Sequence, residues 1–144
     1  LSYFLGPQNE EYKKVIASIK EKVNGEIFEI ANKKEKNGYV TGPSEFVYSI
    51  KKAKLIVTDS FHAVAFAIIY HKPFIVFSRL NNEGKNAGLD SRIDGLLEKM
   101  QLVEKKYSNE ESICFDKFNF DVADSVIKQE KKKIENFYNY MDVI

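Results

Sequence analysis

The chain is poor in every residue that could cross-link it. Among 144 residues there is one cysteine, no tryptophan, two histidines and three prolines. Cys114 has no partner for an internal disulfide, and neither a paired-cysteine redox motif nor a metal-ligand spacing can be built around it, so a reducing interior is its natural setting. Long apolar runs are missing too. The longest, Val64 to Tyr70, falls far short of the ~20 residues a bilayer crossing requires, and no charged-then-apolar leader opens the chain. Charge of one sign is also missing. With 22 Lys+Arg against 21 Asp+Glu the net charge is +1, which argues against duplex nucleic acid as the main partner, because counterion release needs a concentrated basic surface.

What is present is core material. Hydrophobic residues make up 44% of the chain, with 11 Phe and 8 Tyr among them, enough large apolar surface to offset chain entropy. A chain of this length folds as one compact unit. Residues 1–144 are therefore expected to form a single domain, with 121–144 as a terminal amphipathic helix. The opening Leu1 to Gly6 reads as a strand and turn already under way, as in a fragment of a longer polypeptide.

Along the chain, Ser2 to Leu5 suits a short buried strand ended by Gly6-Pro7. Asn9 is the expected N-cap of a helix carrying Glu10 and Glu11 in its first turn and Tyr12, Val15, Ile16, Ile19 and Val23 on one face, stopped at Asn24-Gly25. Glu26 to Ile30 alternates like a half-buried strand, and a Lys-rich loop follows through Lys36, Asn37 and Gly38. Pro43 opens a short helix with Phe46, Val47 and Ile50 inward. Leu55 to Thr58, Ser60 to His71 and Pro73 to Phe77 then read as strand, apolar helix and strand. This βαβ unit implies a parallel sheet with helices on both faces.

The segment Leu80 to Gly88 is rich in Asn and Gly and reads as an irregular loop long enough to serve a site. Asp90 or Ser91 caps a helix bearing Ile93, Leu96, Leu97 and Met100. From Val122 to Met141 a stripe of Val122, Val126, Ile134, Phe137 and Met141 marks a long amphipathic helix, with the charge run Lys128 to Lys133 as its solvated face.

Chemistry concentrates at Thr58-Asp59-Ser60-Phe61-His62, where a central strand ends and a helix begins. Ligands of open α/β sheets collect at such strand ends. With Ser60 as N-cap, His62 falls in the first turn among amides that lack helical partners, an environment that favours an anion. Taken alone, the same residues also suit a plain helix cap. His71, at the helix C-terminus, reads as structural. Arg79, after the next strand, and Arg92, in the first turn of the following helix, offer planar forks for phosphate or carboxylate, or ion pairs with Asp90, Asp94 or Glu83.

Ala53 to Ala63, with its Asp59-Ser60-Phe61-His62, followed by Lys72-Pro73-Phe74-Ile75-Val76 and Asp90-Ser91-Arg92-Ile93, resembles the C-terminal half of the polysaccharide pyruvyl transferase family. The resemblance spans Pro43 to about Leu97, and Tyr3-Phe4-Leu5-Gly6 resembles the strand that opens the family's second domain. Ala63 stands where the family usually has Gly.

The resemblance implies a Rossmann-like three-layer α/β domain, the C-terminal half of a two-domain glycosyltransferase-B-like fold. Its missing N-terminal domain would complete the site, and the isolated half would be inactive. The implied reaction moves a pyruvyl group from phosphoenolpyruvate to a saccharide acceptor of a cell-surface polysaccharide or its precursor. His62 would be the catalytic acid/base, and Asp59, Ser60, Phe61, Arg79, Ser91 and Arg92 would bind substrate. No metal or organic cofactor is required, and the setting is cytoplasmic, with peripheral access to lipid-linked sugars at the inner face of the membrane. Two other readings stand beside it: the nucleotide-sugar-binding half of a glycosyltransferase or epimerase, and a non-catalytic interaction module.

Overall fold

A computed structural model describes residues 1–30, 41–109, 113 and 118–141. The Lys-rich loop expected through Lys36, Asn37 and Gly38, together with Cys114 and the last residues of 121–144, lies outside them.

Among the described residues four parallel strands form the sheet: β1 (Ser2–Tyr3), β2 (Glu29–Ile30), β3 (Ile56–Thr58) and β4 (Phe74–Val76), in the order β2-β1-β3-β4. Val57 lies opposite Ser2 and Ile75 in the two central ladders. The helices are α1 (Glu10–Lys22), α2 (Pro43–Lys52), α3 (Phe61–Ile69), α4 (Ser91–Met100) and α5 (Asp121–Met141), with a 3-10 turn at Val103–Lys105.

Alternation along the strands sorts the core into two layers. Leu55, Val57, Ile75 and Phe77 face α1 through Tyr12, Val15, Ile16 and Ile19. Ile56, Phe74 and Val76 face the opposite layer, where α2, α3 and α4 contribute Ile50, Val64, Ile68, Ile93 and Leu97. Both faces of the sheet are thus covered, which explains why its central strands read as unbroken apolar runs. The chain is a Rossmann-like three-layer α/β fold. In the second layer α3 lies between α2 and α4, so sheet and helices enclose it on three sides and its near all-round apolar sequence is accounted for.

Local signals act largely as expected. Asn9 Oδ1 accepts from the Tyr12 amide at 2.8 Å, and Pro43 sits in the first turn of α2. Asn24 and His71 take left-handed backbone just past α1 and α3, with φ of 45° and 51°, satisfying the terminal carbonyls. Two expectations are corrected. Instead of running to Leu5, β1 ends at Tyr3, because the Leu5 and Gly6 amides turn to the Asp59 carboxylate. The strand expected over Glu26 to Ile30 is confined to Glu29–Ile30 at the sheet edge, with Ile27 and Phe28 exposed. The segment Leu80 to Gly88 is a loop, as expected, held in shape locally: Leu80 bridges Asn86, Asn81 Oδ1 accepts from the amides of Glu83 and Lys85, and Gly84 and Gly88 take φ of 76° and 69° that side chains disfavour.

The terminal helix α5 has two unlike halves. Ala123 is buried, with Val126 and Ile127 packed against the same core as α4. Residues 131–140 are exposed throughout, Ile134, Phe137 and Tyr138 included. Among the described residues no helix is long and apolar enough to cross a membrane.

Candidate functional site

From β1 the chain steps outward to β2, then returns past β1 to β3 and on to β4. The order therefore reverses between β1 and β3, and their carboxyl ends flank the crevice in which open α/β sheets bind ligands. Three loops meet there, those after β1, β3 and β4.

Thr58 joins the first two. Its buried hydroxyl donates to the Tyr3 carbonyl at 2.6 Å and accepts from the Ser60 amide at 3.0 Å, which fixes the turn into α3. Asp59, 1% exposed, closes the same gap. Its Oδ1 accepts from the Leu5 amide at 2.7 Å and its Oδ2 from the Gly6 amide at 2.8 Å. Arg79 comes from the third loop: Nη2 donates to the Asp59 carbonyl at 3.1 Å, and Nε lies 3.4 Å from Oδ2. Gly6 makes this approach feasible, since a Cβ there would stand 2.7 Å from the Leu80 carbonyl oxygen and 2.9 Å from Arg79 Cγ. Burial and the Asp59 charge raise the phenol of neighbouring Tyr3 above its ordinary value, partly offset by Arg79.

Ser60 occupies the N-cap position of α3 without making a side-chain capping bond. Its hydroxyl is buried and has no hydrogen-bond partner. The first helical bond runs from the Val64 amide to the Ser60 carbonyl, so the amides of Phe61, His62 and Ala63 precede the ladder and carry the positive end of the helix dipole. His62 is exposed in that first turn, its ring edge-on to Phe61 with centroids 5.9 Å apart. The Arg92 guanidinium rests over the Phe61 ring at 5.6 Å, a cation–π distance. Ser91 opens α4 and is exposed. The methyl of Ala63 is enclosed in the core beneath, away from the open helix end.

Behind Arg79 lies a second charged network. Asp90 accepts from the Arg79 amide at 3.2 Å and pairs with Lys106 at 3.2 Å, and Lys106 also reaches Asp94. Burial alone would raise the Asp90 carboxyl, but bonds from Ser78, the Arg79 amide and Lys106 outweigh it and hold the group below its ordinary value. Burial likewise opposes the Lys106 charge and is outweighed by its two aspartates, which raise its pKa.

The structure thus gathers Asp59, Ser60, Phe61, His62 and Arg79 around one helix end and brings in Arg92 through Phe61. Gly6 and Lys106 join this rim without a sequence signal that marks them as part of it. Gly6-Pro7 carries a turn signal, and nothing local distinguishes Lys106 from the solubilising lysines. A cleft of ≈ 730 Å³ lies elsewhere, at the amino edge of the sheet, lined by Ile16, Val23, Phe28, Tyr48 and Leu55 among others. It includes none of the residues at the carboxyl edge. Among the described residues no group of three or more His, Cys, Asp or Glu could hold a metal ion.

A parallel sheet covered on both faces, with an exposed histidine in the first turn of the helix at its switch point, defines a Rossmann-like α/β domain. Residues 1–81 match the family model of polysaccharide pyruvyl transferase, and the chain belongs to that family. Its class is accordingly a transferase of polysaccharide biosynthesis. The match takes in Asp59 to His62 and Arg79, whereas Ser91 and Arg92 lie beyond it. No curated protein and no solved structure matches the chain.

Proposed function

We propose that the chain is the C-terminal half of a two-domain transferase that moves the pyruvyl group of phosphoenolpyruvate onto a saccharide, with the cleft completed by an N-terminal domain. One observation carries the reading. The Ser60 hydroxyl is buried without a partner at the amide-rich start of α3, two residues before an exposed imidazole. Such a hydroxyl incurs a desolvation cost unless a ligand satisfies it, and the helix end selects an anion.

The donor's phosphate or carboxylate is held by the amides at the start of α3 and the Ser60 hydroxyl, with Arg79 and Arg92 alongside. His62 serves as general acid/base. Protonation of the enol carbon turns it into a methyl group and leaves the adjacent carbon electrophilic. Two sugar hydroxyls bond to that carbon as its bond to the phosphate oxygen breaks. Of the two hydroxyl protons displaced, one balances the proton on the methyl and the other leaves with the phosphate. No metal or organic cofactor enters this scheme. Activity is assayed on the full-length protein with phosphoenolpyruvate and an acceptor sugar. His62→Ala is expected to lower turnover at least ~10²-fold while leaving stability within ~0.5 kcal/mol, as for an exposed side chain. Unchanged turnover removes His62 from the mechanism.

The uncovered Ile134, Phe137 and Tyr138 of α5 favour a second role for the chain, as a contact module. Concentration-dependent dimerisation of the purified chain, abolished by Phe137→Ser, is its test.

A further inference from the structure

Asp59 is ill placed to bind a donor directly. Its carboxylate is buried at 1% exposure, both oxygens already accept backbone amides, and a carboxylate facing an anionic donor would repel it. Its contacts point instead to Arg79. The Arg79 side chain is 22% exposed and carries five N–H donors. Nη2 is bonded to the Asp59 carbonyl, and Nε is buried without a hydrogen-bond partner, 3.4 Å from the carboxylate. On the other side the Gly6 backbone walls the arginine stem, leaving no room for a Cβ. Loops from three neighbouring strands thus converge on one guanidinium. A long side chain held in this way loses little further freedom when it binds a ligand, and its partial exposure leaves it within reach of an anion.

We propose that Asp59 is a positioning residue, which grips the Leu5-Gly6 turn and the Arg79 side chain together and so sets the Arg79 guanidinium to bind one anionic group of the donor beside the start of α3. The proposal rests on the reading of that helix end as the donor's anion site. Asp59 does not touch the donor, and its influence on binding passes entirely through Arg79.

Inorganic phosphate and phosphoenolpyruvate are titrated calorimetrically into the full chain as wild type, Asp59→Asn, Arg79→Gln and the double variant. Hydrogen exchange of the Arg79 Nε–H is followed by NMR in the wild type and in Asp59→Asn. Each single change is expected to weaken phosphoenolpyruvate binding about tenfold or more, with the double variant no weaker than Arg79→Gln, the non-additivity of residues that act as one unit. The Nε–H should also exchange faster in Asp59→Asn. A merely structural role would lower stability without producing this coupling. Wild-type affinity in Asp59→Asn, or losses that simply add, overturns the proposal and leaves the anion site standing. A wild-type chain that binds neither ligand removes the anion site and this proposal with it. Should Asp59→Asn not fold, Arg79→Lys keeps the charge and the Asp59 amide bonds but lacks the Nε–H, and undiminished affinity there overturns the proposal equally.

Discussion

His71 and Asp124 fasten the C-terminal helix to the layer beneath it: the imidazole Nε2 lies 2.8 Å from Asp124 Oδ1, and its ring stacks on Phe120 with centroids 5.0 Å apart. The same histidine terminates α3 in left-handed backbone. One residue therefore ends one helix and pegs the start of another.

His71→Asn tests that double duty. Asparagine tolerates left-handed backbone, so the end of α3 survives while the ring stack is lost. The expected cost is about 0.5–1.5 kcal/mol, the range for a packed aromatic pair, read from urea denaturation. Amides of residues 121–127 should exchange faster in the variant, and unaltered exchange would mean that Ala123, Val126 and Ile127 dock the helix unaided.

Ser60→Ala should move stability and binding in opposite directions. A buried hydroxyl without a partner costs ~1–3 kcal/mol, so its removal is expected to raise the unfolding midpoint. The same change removes a donor from the proposed anion site and should weaken phosphate binding. Differential scanning calorimetry and phosphate titration on one preparation read both effects; a midpoint that falls, or affinity that stays, counts against the ligand role of this hydroxyl.

The Asp90–Lys106 pair sets a pH window. Asp90 is held below its ordinary 3.8, so its contribution is complete above that value and is lost as pH falls through the lower folded pKa. Lys106 is raised above 10.5, so its contribution is complete below that value and is lost as pH rises through the higher folded pKa. Urea midpoints measured from acid to alkali should hold level between these limits as far as this pair is concerned. Lys106→Met should show a shallower acid fall, because Asp90 loses one of the bonds that depress it. Identical profiles would mean that the network adds nothing to stability.

Elements whose information is local were legible in the sequence. The Asn9 cap, the Pro43 start, the apolar run of α3 and the apolar runs Leu55 to Thr58 and Pro73 to Phe77 each state their role within a few residues, and the parallel sheet follows from them. The Asp59-Ser60-Phe61-His62 cluster was legible by its place at a strand end. Its internal division of labour was not. That Asp59 faces backward to Leu5 and Gly6 depends on a partner more than fifty positions away, and no periodicity encodes such a pairing. For the same reason Lys106, held by Asp90 and Asp94, looked like any solvated lysine. The short β1 was overestimated because apolar character does not reveal where a backbone amide leaves its ladder for a side chain.

The distal half of α5 bears on how the chain can be handled. Glu130 is bridged to Lys99 of α4 and to Lys133, and beyond it the helix has no shelter from the sheet. Unsupported helices shorter than ~12–15 residues are marginal in water, so this tip draws its order from its junction with the body. Lys131, Lys132 and Lys133 stand at that junction as three successive tryptic sites. A brief digestion should clip the aromatic tip away and leave a trimmed core whose carboxyl-edge crevice is intact.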